Sequence, residues 1–249
     1  KSFIPGGGTG RSFTNEYGNV GVSVVQDELM MERMNEKGLS AGLFYFPDYG
    51  KYEEYSETNY ETNISDFQLV SYILGRCATV DEVKAEIARV HIHGFDPRSS
   101  TVHWRFAEPS GRQIVLEIID GKCVFYENKL GVLTNSPSFD WQLTNLNNYV
   151  NLMPGRTEPH TIGNMSLSSF GGGSAMIGLP GDFTPPSRFV RAAFFQSTAP
   201  QKPDAEGSVF TAFHILGSME IPIGAQFPVD ETPADIPSAT QCTCVTDMS

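Results

Sequence analysis

Hydrophobic and polar positions alternate or cycle along most of the chain, and the period changes from stretch to stretch. The run "NVGVSVVQD" (residues 19–27) is β-branched and reads as a strand. "GLSAGLFYFPDYG" (residues 38–50) holds a second apolar strand, stopped by Pro47-Asp48. A three-to-four-residue period follows. "SDFQLVSYILG" opens on Ser65 as a helix N-cap and closes on Gly75 as a C-cap. "TVDEVKAEIARV" opens on a capping box, Thr79 with Glu82, and puts Val80, Val83, Ile87 and Val90 on one helical face.

The period then returns to two. "TVHWRFAE" turns at "PSG" into "RQIVLEII", which turns at Asp120-Gly121 into "KCVFYE". Asp-Gly between apolar runs is a strong hairpin marker, because both turn positions need positive φ. "LGVLT" (residues 130–134) reads as one more strand. "FDWQLTNLNNYV" reads as a helix with Trp141, Leu143 and Leu146 inward. A Gly/Pro/Ser-rich loop spans residues 153–183, a helix starts after Pro185-Pro186, another covers "VFTAFHILGSM", and "QCTCVT" is a closing strand. Strands and helices come in blocks, which predicts a layered α+β fold with largely antiparallel sheet, in one domain over residues 1–249.

Composition narrows the function classes. The 249 residues carry 17 basic and 29 acidic side chains, a net charge of −12. That opposes binding to nucleic acid or to anionic membrane surfaces. No apolar run approaches the ~20 residues that span a bilayer. Cys77, Cys123, Cys242 and Cys244 form no C-x-x-C pair and read as buried small side chains in a reducing compartment, the cytoplasm before the periplasm.

Motifs for chemistry are sparse. "PGGGTG" (residues 5–10) lacks the Lys-Ser/Thr ending of a phosphate loop. "HIH" (residues 91–93) lacks further ligands at metal spacing and reads as a solvated helix end, so no metal and no cofactor is expected. His103 and His214 read as structural. No nucleophile stands beside a base partner. Asn135, in "LTNSPSFDW", fits turn chemistry or an amide donor aimed at a reacting oxygen. Arg188 sits in the first turn of a helix, where a cation is disfavoured, and invites an anionic partner.

Five stretches, "MNEKGLSAGLFYFPDYGKY", "TVDEV", "GVLTNSPSFDWQLTNLNNY", "GLPGDFTPPSRFVRAAF" and "FHILGSMEIPIG", together resemble the choloylglycine hydrolase family of penicillin V acylases and conjugated bile salt hydrolases. The resemblance implies a four-layer αββα sandwich of the N-terminal nucleophile hydrolase type. It implies an amidase that cleaves a linear carbon–nitrogen amide through an acyl-enzyme on an N-terminal Cys. On that likeness Asn135 is the side-chain oxyanion donor, the Tyr45 backbone N–H completes the oxyanion hole, and Arg188 contacts the nucleophile region. Phe44, Phe46 and Tyr49 suit an aromatic acyl group, and Tyr45 leans toward the acylases. Residues 148–173 resemble a segment that mediates homotetramer contacts. The similarity begins after the family's Cys and stops before its last strand. The expectation is therefore a domain lacking its N-terminal catalytic strand and C-terminal strand, inactive by itself. The competing reading is a catalytically silent small-molecule-binding or assembly homologue on the same scaffold.

Overall fold

The computed structural model describes residues 10–24, 26–95, 100–227 and 239–248. They pack as two compact units, Lys1–Phe139 with Met248–Ser249, and Asp140–Asp247.

In the first unit, β1 (Asn19–Val24), β2 (Gln26–Asn35), β3 (Ser40–Tyr45), β6 (Val102–Ala107), β7 (Gln113–Ile119) and β8 (Lys122–Glu127) form one sheet in the order β1-β2-β3-β6-β7-β8. Every neighbouring pair is antiparallel. A two-stranded parallel piece joins β4 (Asn63–Ser65) to β5 (His91–His93). Between β4 and β5 run α1 (Leu69–Leu74) and α2 (Val80–Ile87).

The two-residue alternation sorts side chains between the faces of the sheet. Leu39, Ala41 and Leu43 lie on the helix-covered face with Val102, Trp104, Phe106, Ile114, Leu116 and Ile118. They share one core with Leu69, Val70, Ile73, Val80, Val83 and Ile87. Each such burial stabilises by about 1.5–3 kcal/mol before chain entropy is counted. The intervening residues, among them Phe44, Phe46, His103 and Glu117, fall on the opposite face.

Turn chemistry fixes the meander. Asp120 and Gly121 have φ of 48° and 74°, as a two-residue hairpin requires. The capping box is formed: the Thr79 side chain accepts the Glu82 N–H, and the Glu82 side chain accepts the Thr79 N–H. A further tie runs from Asn35, which is buried. Its Nδ2 donates to the carbonyls of Leu74 (2.9 Å) and Cys77 (2.8 Å), and its Oδ1 accepts the N–H of Lys37 and Leu39, each at 3.0 Å. One side chain thus joins the β2–β3 turn to the end of α1.

Several expectations give way. The 19–27 run is two strands, because the chain reverses between Val24 and Gln26 and the charged run "QDELMMERMN" pairs with both β1 and β3. Ser65 ends β4 and donates to Gln68 Oε1 (3.1 Å) instead of capping, and a 3-10 turn over Asp66–Gln68 leads into α1. Gly75 closes α1 in ordinary right-handed geometry, with φ −71°. "HIH" is strand β5, with His93 buried. "LGVLT" is irregular: Asn128 folds it over by donating to the Val132 carbonyl (3.1 Å) and accepting the Gly131 N–H (2.8 Å). Of "PGGGTG", all but Gly10 lies outside the described residues.

The second unit holds α3 (Phe139–Asn145, whose first residue belongs to the first unit), a β9 (His160–Ile162)–β10 (Met165–Leu167) hairpin, α4 (Pro185–Thr198) and α5 (Ala205–Gly217). On α3 the buried positions are Phe139 and Gln142, one turn apart, while Trp141 and Leu143 are exposed. "QCTCVT" makes no strand among the described residues. It finds no ladder, only isolated bonds beside it, such as Thr240 N–H to the Ile221 carbonyl (3.1 Å). Of the four free cysteines, Cys77 alone is buried.

Candidate active site

Register decides where the Tyr45 peptide points. The Phe46 N–H donates to the Thr101 carbonyl at 2.7 Å, so Phe46 and Thr101 are a hydrogen-bonded pair across β3 and β6. Antiparallel ladders alternate bonded and non-bonded pairs. Tyr45, opposite Val102, therefore turns its N–H and C=O away from β6. Consistently, the Val102 N–H goes to the Tyr52 hydroxyl at 2.7 Å.

The edge that Tyr45 faces is the one β2 borders, yet β2 pairs with β3 only at Ser40, Ala41 and Gly42. Just beyond, Met31 is an extra residue on β2, since Val22 pairs with Glu32 and Ser23 with Met30. Such a bulge bends its strand, and here β2 leaves β3 at that point. The Asn135 side chain takes the position: its Nδ2 donates to the Tyr45 carbonyl at 2.9 Å. A residue's N–H and C=O project to the same side of a strand, so the Tyr45 N–H lies beside the Asn135 amide. Asn135 and Tyr45 are brought together on one open strand edge.

The Asn135 loop is fastened on both sides. The Ser136 hydroxyl donates to the Pro47 carbonyl (2.6 Å), and the Ser136–Pro137 peptide is cis. Just before Asn135, the Thr134 carbonyl meets His103 Nε2 at 3.0 Å. At the far end, the Phe139 N–H donates to Glu117 Oε1 at 2.9 Å. The same carboxylate oxygen lies 3.1 Å from His103 Nδ1, and both side chains are fully buried. Phe46 is fully buried too and stacks on the His103 ring, with centroids 4.5 Å apart. Of the proposed acyl-group aromatics, Phe46 thus supports the site from beneath and faces no ligand. Phe44 is part-buried and Tyr49 exposed, so both retain accessible ring surface.

His103 is structural, as the sequence suggests, but Glu117 went unremarked. Its marker was legible: a lone charge inside the apolar strand "QIVLEII" must find a partner when buried.

Arg188 belongs to the second unit, in the first turns of α4. Its backbone N–H closes the first turn on Thr184, and its Nε donates to the Phe183 carbonyl at 3.0 Å. Burial lowers its pKa, with Arg191 adding repulsion. Asp182 caps this helix start, accepting from the Thr184 N–H (2.9 Å), the Thr184 hydroxyl (2.5 Å) and the Ser187 hydroxyl (2.7 Å). Those bonds hold its carboxyl down at about 2. Arg191 grips the preceding loop through the carbonyls of Pro180 (2.8 Å) and Asp182 (2.6 Å).

Among the described residues no three His, Cys, Asp or Glu side chains cluster as metal ligands, and no helix is long and apolar enough to cross a membrane.

The family model for linear amide C–N hydrolases of the choloylglycine hydrolase family matches residues 4–249. The chain belongs to this family. A bile salt hydrolase/transferase of Clostridium perfringens is 34% identical over 242 residues, covering 94% of this chain and 73% of that protein. Among solved structures, a variant of conjugated bile acid hydrolase from Clostridium perfringens superposes with a TM-score of 0.77 at 33% identity, over 88% of this chain and 69% of that one. Penicillin V acylase from Agrobacterium tumefaciens gives 0.70 at 26% identity, over 87% and 60%. The choloylglycine hydrolase assignment carries the fold with it: α+β, of the N-terminal nucleophile hydrolase type. Within that fold, the first unit contributes a helix layer on an antiparallel sheet.

Proposed function

We propose that the chain forms the oxyanion-hole part of an amidase that hydrolyses a linear N-acyl amide through an acyl-enzyme. The observation carrying this reading is the Asn135 amide bonded to the Tyr45 carbonyl on the edge that β2 leaves uncovered. In the reaction, a thiolate attacks the amide carbonyl and the carbonyl oxygen takes up negative charge. The Tyr45 N–H and Asn135 Nδ2 stabilise that charge from fixed positions, with no reorganisation at the moment of attack. The amine leaves with a proton, and water then releases the acyl group. Arg188 acts on the nucleophile region as a fixed cation.

Cys77, Cys123, Cys242 and Cys244 all lie inside the chain, so none pairs a thiol with a free α-amino base. In this reading an N-terminal Cys outside the 249 residues supplies both. The aromatic side chain at Tyr45, with Phe44 and Tyr49 near it, favours an aryl-acyl substrate such as phenoxymethylpenicillin. The greater identity to a bile salt hydrolase favours conjugated bile salts as the second reading. Val150, Met153, Ile162, Met165 and Phe170, all exposed on the 148–173 segment, supply apolar surface for a homotetramer. The four free cysteines agree with a reducing compartment.

The test is to assay both substrates on the 249-residue chain and on the same chain joined to a family-type segment that begins with Cys. Turnover only by the joined protein, faster on phenoxymethylpenicillin, is the expected result. Absence of turnover in both would favour a silent binding homologue.

A further inference from the structure

The two halves of the site come from distant parts of the chain, 90 positions apart. Their spacing has to be held to a fraction of an ångström for two donors to meet one oxygen. One buried ring touches both halves. His103 Nε2 meets the carbonyl of Thr134, the residue before Asn135, at 3.0 Å. The flat of the same ring lies on Phe46, the residue after Tyr45, with an interplanar angle of 11°. Phe44, the residue before Tyr45, meets the ring edge-on at 6.1 Å. The ring cannot rotate, because Glu117 Oε1 holds its other nitrogen at 3.1 Å. That oxygen also takes the Phe139 N–H, which fixes the far end of the Asn135 loop.

We propose that His103, locked by Glu117, is a positioning residue that sets the distance between the Asn135 amide and the Tyr45 peptide. This rests on the reading of that pair as an oxyanion hole. The chemistry favours the imidazole: each ring nitrogen faces an oxygen, on opposite sides of a rigid plane, and a third contact uses the face. A Gln at 103 reproduces one polar contact and lacks the stacking plane. A Gln at 117 keeps an oxygen for the Phe139 N–H and so retains part of the lock, whereas Ala keeps none. Neither His103 nor Glu117 is exposed, so neither touches substrate.

The test uses the chain joined to an N-terminal Cys segment, with kcat and KM measured for Asn135→Ala, His103→Gln, the double variant, Glu117→Gln and Glu117→Ala. Misplacement of about 1 Å costs on the order of 100-fold. His103→Gln is therefore expected to lower kcat by roughly 10–100-fold, while KM stays within about twofold. The double variant should be no slower than Asn135→Ala, and Glu117→Gln should recover part of what Glu117→Ala loses. A folded His103→Gln protein with undiminished kcat, or a double variant slower by the product of the single losses, overturns the proposal. If Asn135→Ala itself keeps full kcat, the oxyanion reading fails. The clamp is then judged by the Asn135 side-chain amide resonances in nitrogen-labelled protein. They should move in His103→Gln, and unmoved resonances overturn the clamp as well. Should His103→Gln not fold, Glu117→Gln carries the kinetic and resonance comparisons in its place.

Discussion

Asn135 donates its side-chain amide to the backbone carbonyl of Tyr45 at 2.9 Å, joining a loop after the meander to the end of β3. Its one N–H on that carbonyl fixes the plane of the amide and so the direction of the group. In the Cys-completed protein, Asn135→Ala is expected to lower kcat roughly 10²–10³-fold with little change in KM, since the donor acts chiefly on charge that develops during attack. Steady-state kinetics decide it. A variant that loses affinity and keeps its turnover rate returns Asn135 to turn chemistry.

Asn35 makes four hydrogen bonds from a buried position, two donated and two accepted. Asn35→Ala leaves the Leu74 and Cys77 carbonyls without those donors. The expected loss is about 2–4 kcal/mol of stability, because unsatisfied buried groups cost more than the bonds contribute net. Urea denaturation at fixed pH measures it, and a loss under ~0.5 kcal/mol would mean that water replaces the amide.

Asp66 is buried, and burial raises its carboxyl to about 6 in spite of bonds from the backbone N–H groups of Phe67 (2.8 Å) and Phe95 (2.9 Å). Between about pH 4 and about pH 6 the folded chain holds a proton that the unfolded chain has released. Stability due to this group therefore falls as pH rises through that window and stays level above it. Asp66→Asn, which keeps an acceptor oxygen and never ionises, should be more stable than the parent at pH 7 by up to ~3 kcal/mol. The two proteins should converge near pH 4. Equal pH profiles for both would refute the shift.

Asp182 shifts the opposite way, held at about 2 first by the Thr184 hydroxyl and then by Ser187 and the Thr184 N–H. Its contribution is present above the unfolded carboxyl range of about 3.9 and is lost as pH falls toward 2. The group is exposed, so the global effect of Asp182→Ala should be small. The local effect should not: hydrogen exchange at the Ser187 and Arg188 amides is expected to accelerate as the first turn of α4 frays. Unchanged exchange there would remove Asp182 from the support of Arg188.

What the sequence disclosed followed the range of the forces involved. The Thr79–Glu82 box and the Asp120-Gly121 turn rest on contacts within three residues, and both stand as read. β2 was hidden because Glu, Met and Arg favour helix in isolation, and only pairing with β1 and β3 overrides that preference. "LGVLT" looked like a strand by side-chain type, yet Asn128 and His103 claim two of its carbonyls. Trp141 and Leu143 misled because an apolar side chain need not be inside. At the site, the nearness of Asn135 to Tyr45 is a long-range fact that only the family likeness conveyed. The Glu117–His103 contact was announced by polar residues in apolar strands, though without its target.

The bulge at Met31 has a consequence for solubility. A strand edge that loses its neighbour exposes unpaired peptide groups, and such edges template pairing with other chains. Beyond Gly42, the Asn135 side chain meets the Tyr45 carbonyl much as an adjoining strand's N–H would. An amide on a side chain satisfies the acceptor without continuing the ladder, so it ends the sheet there. The residue proposed to hold an oxyanion therefore also acts as a stopper against edge-to-edge association. Removing it should leave a chain that is both slower and more prone to aggregate.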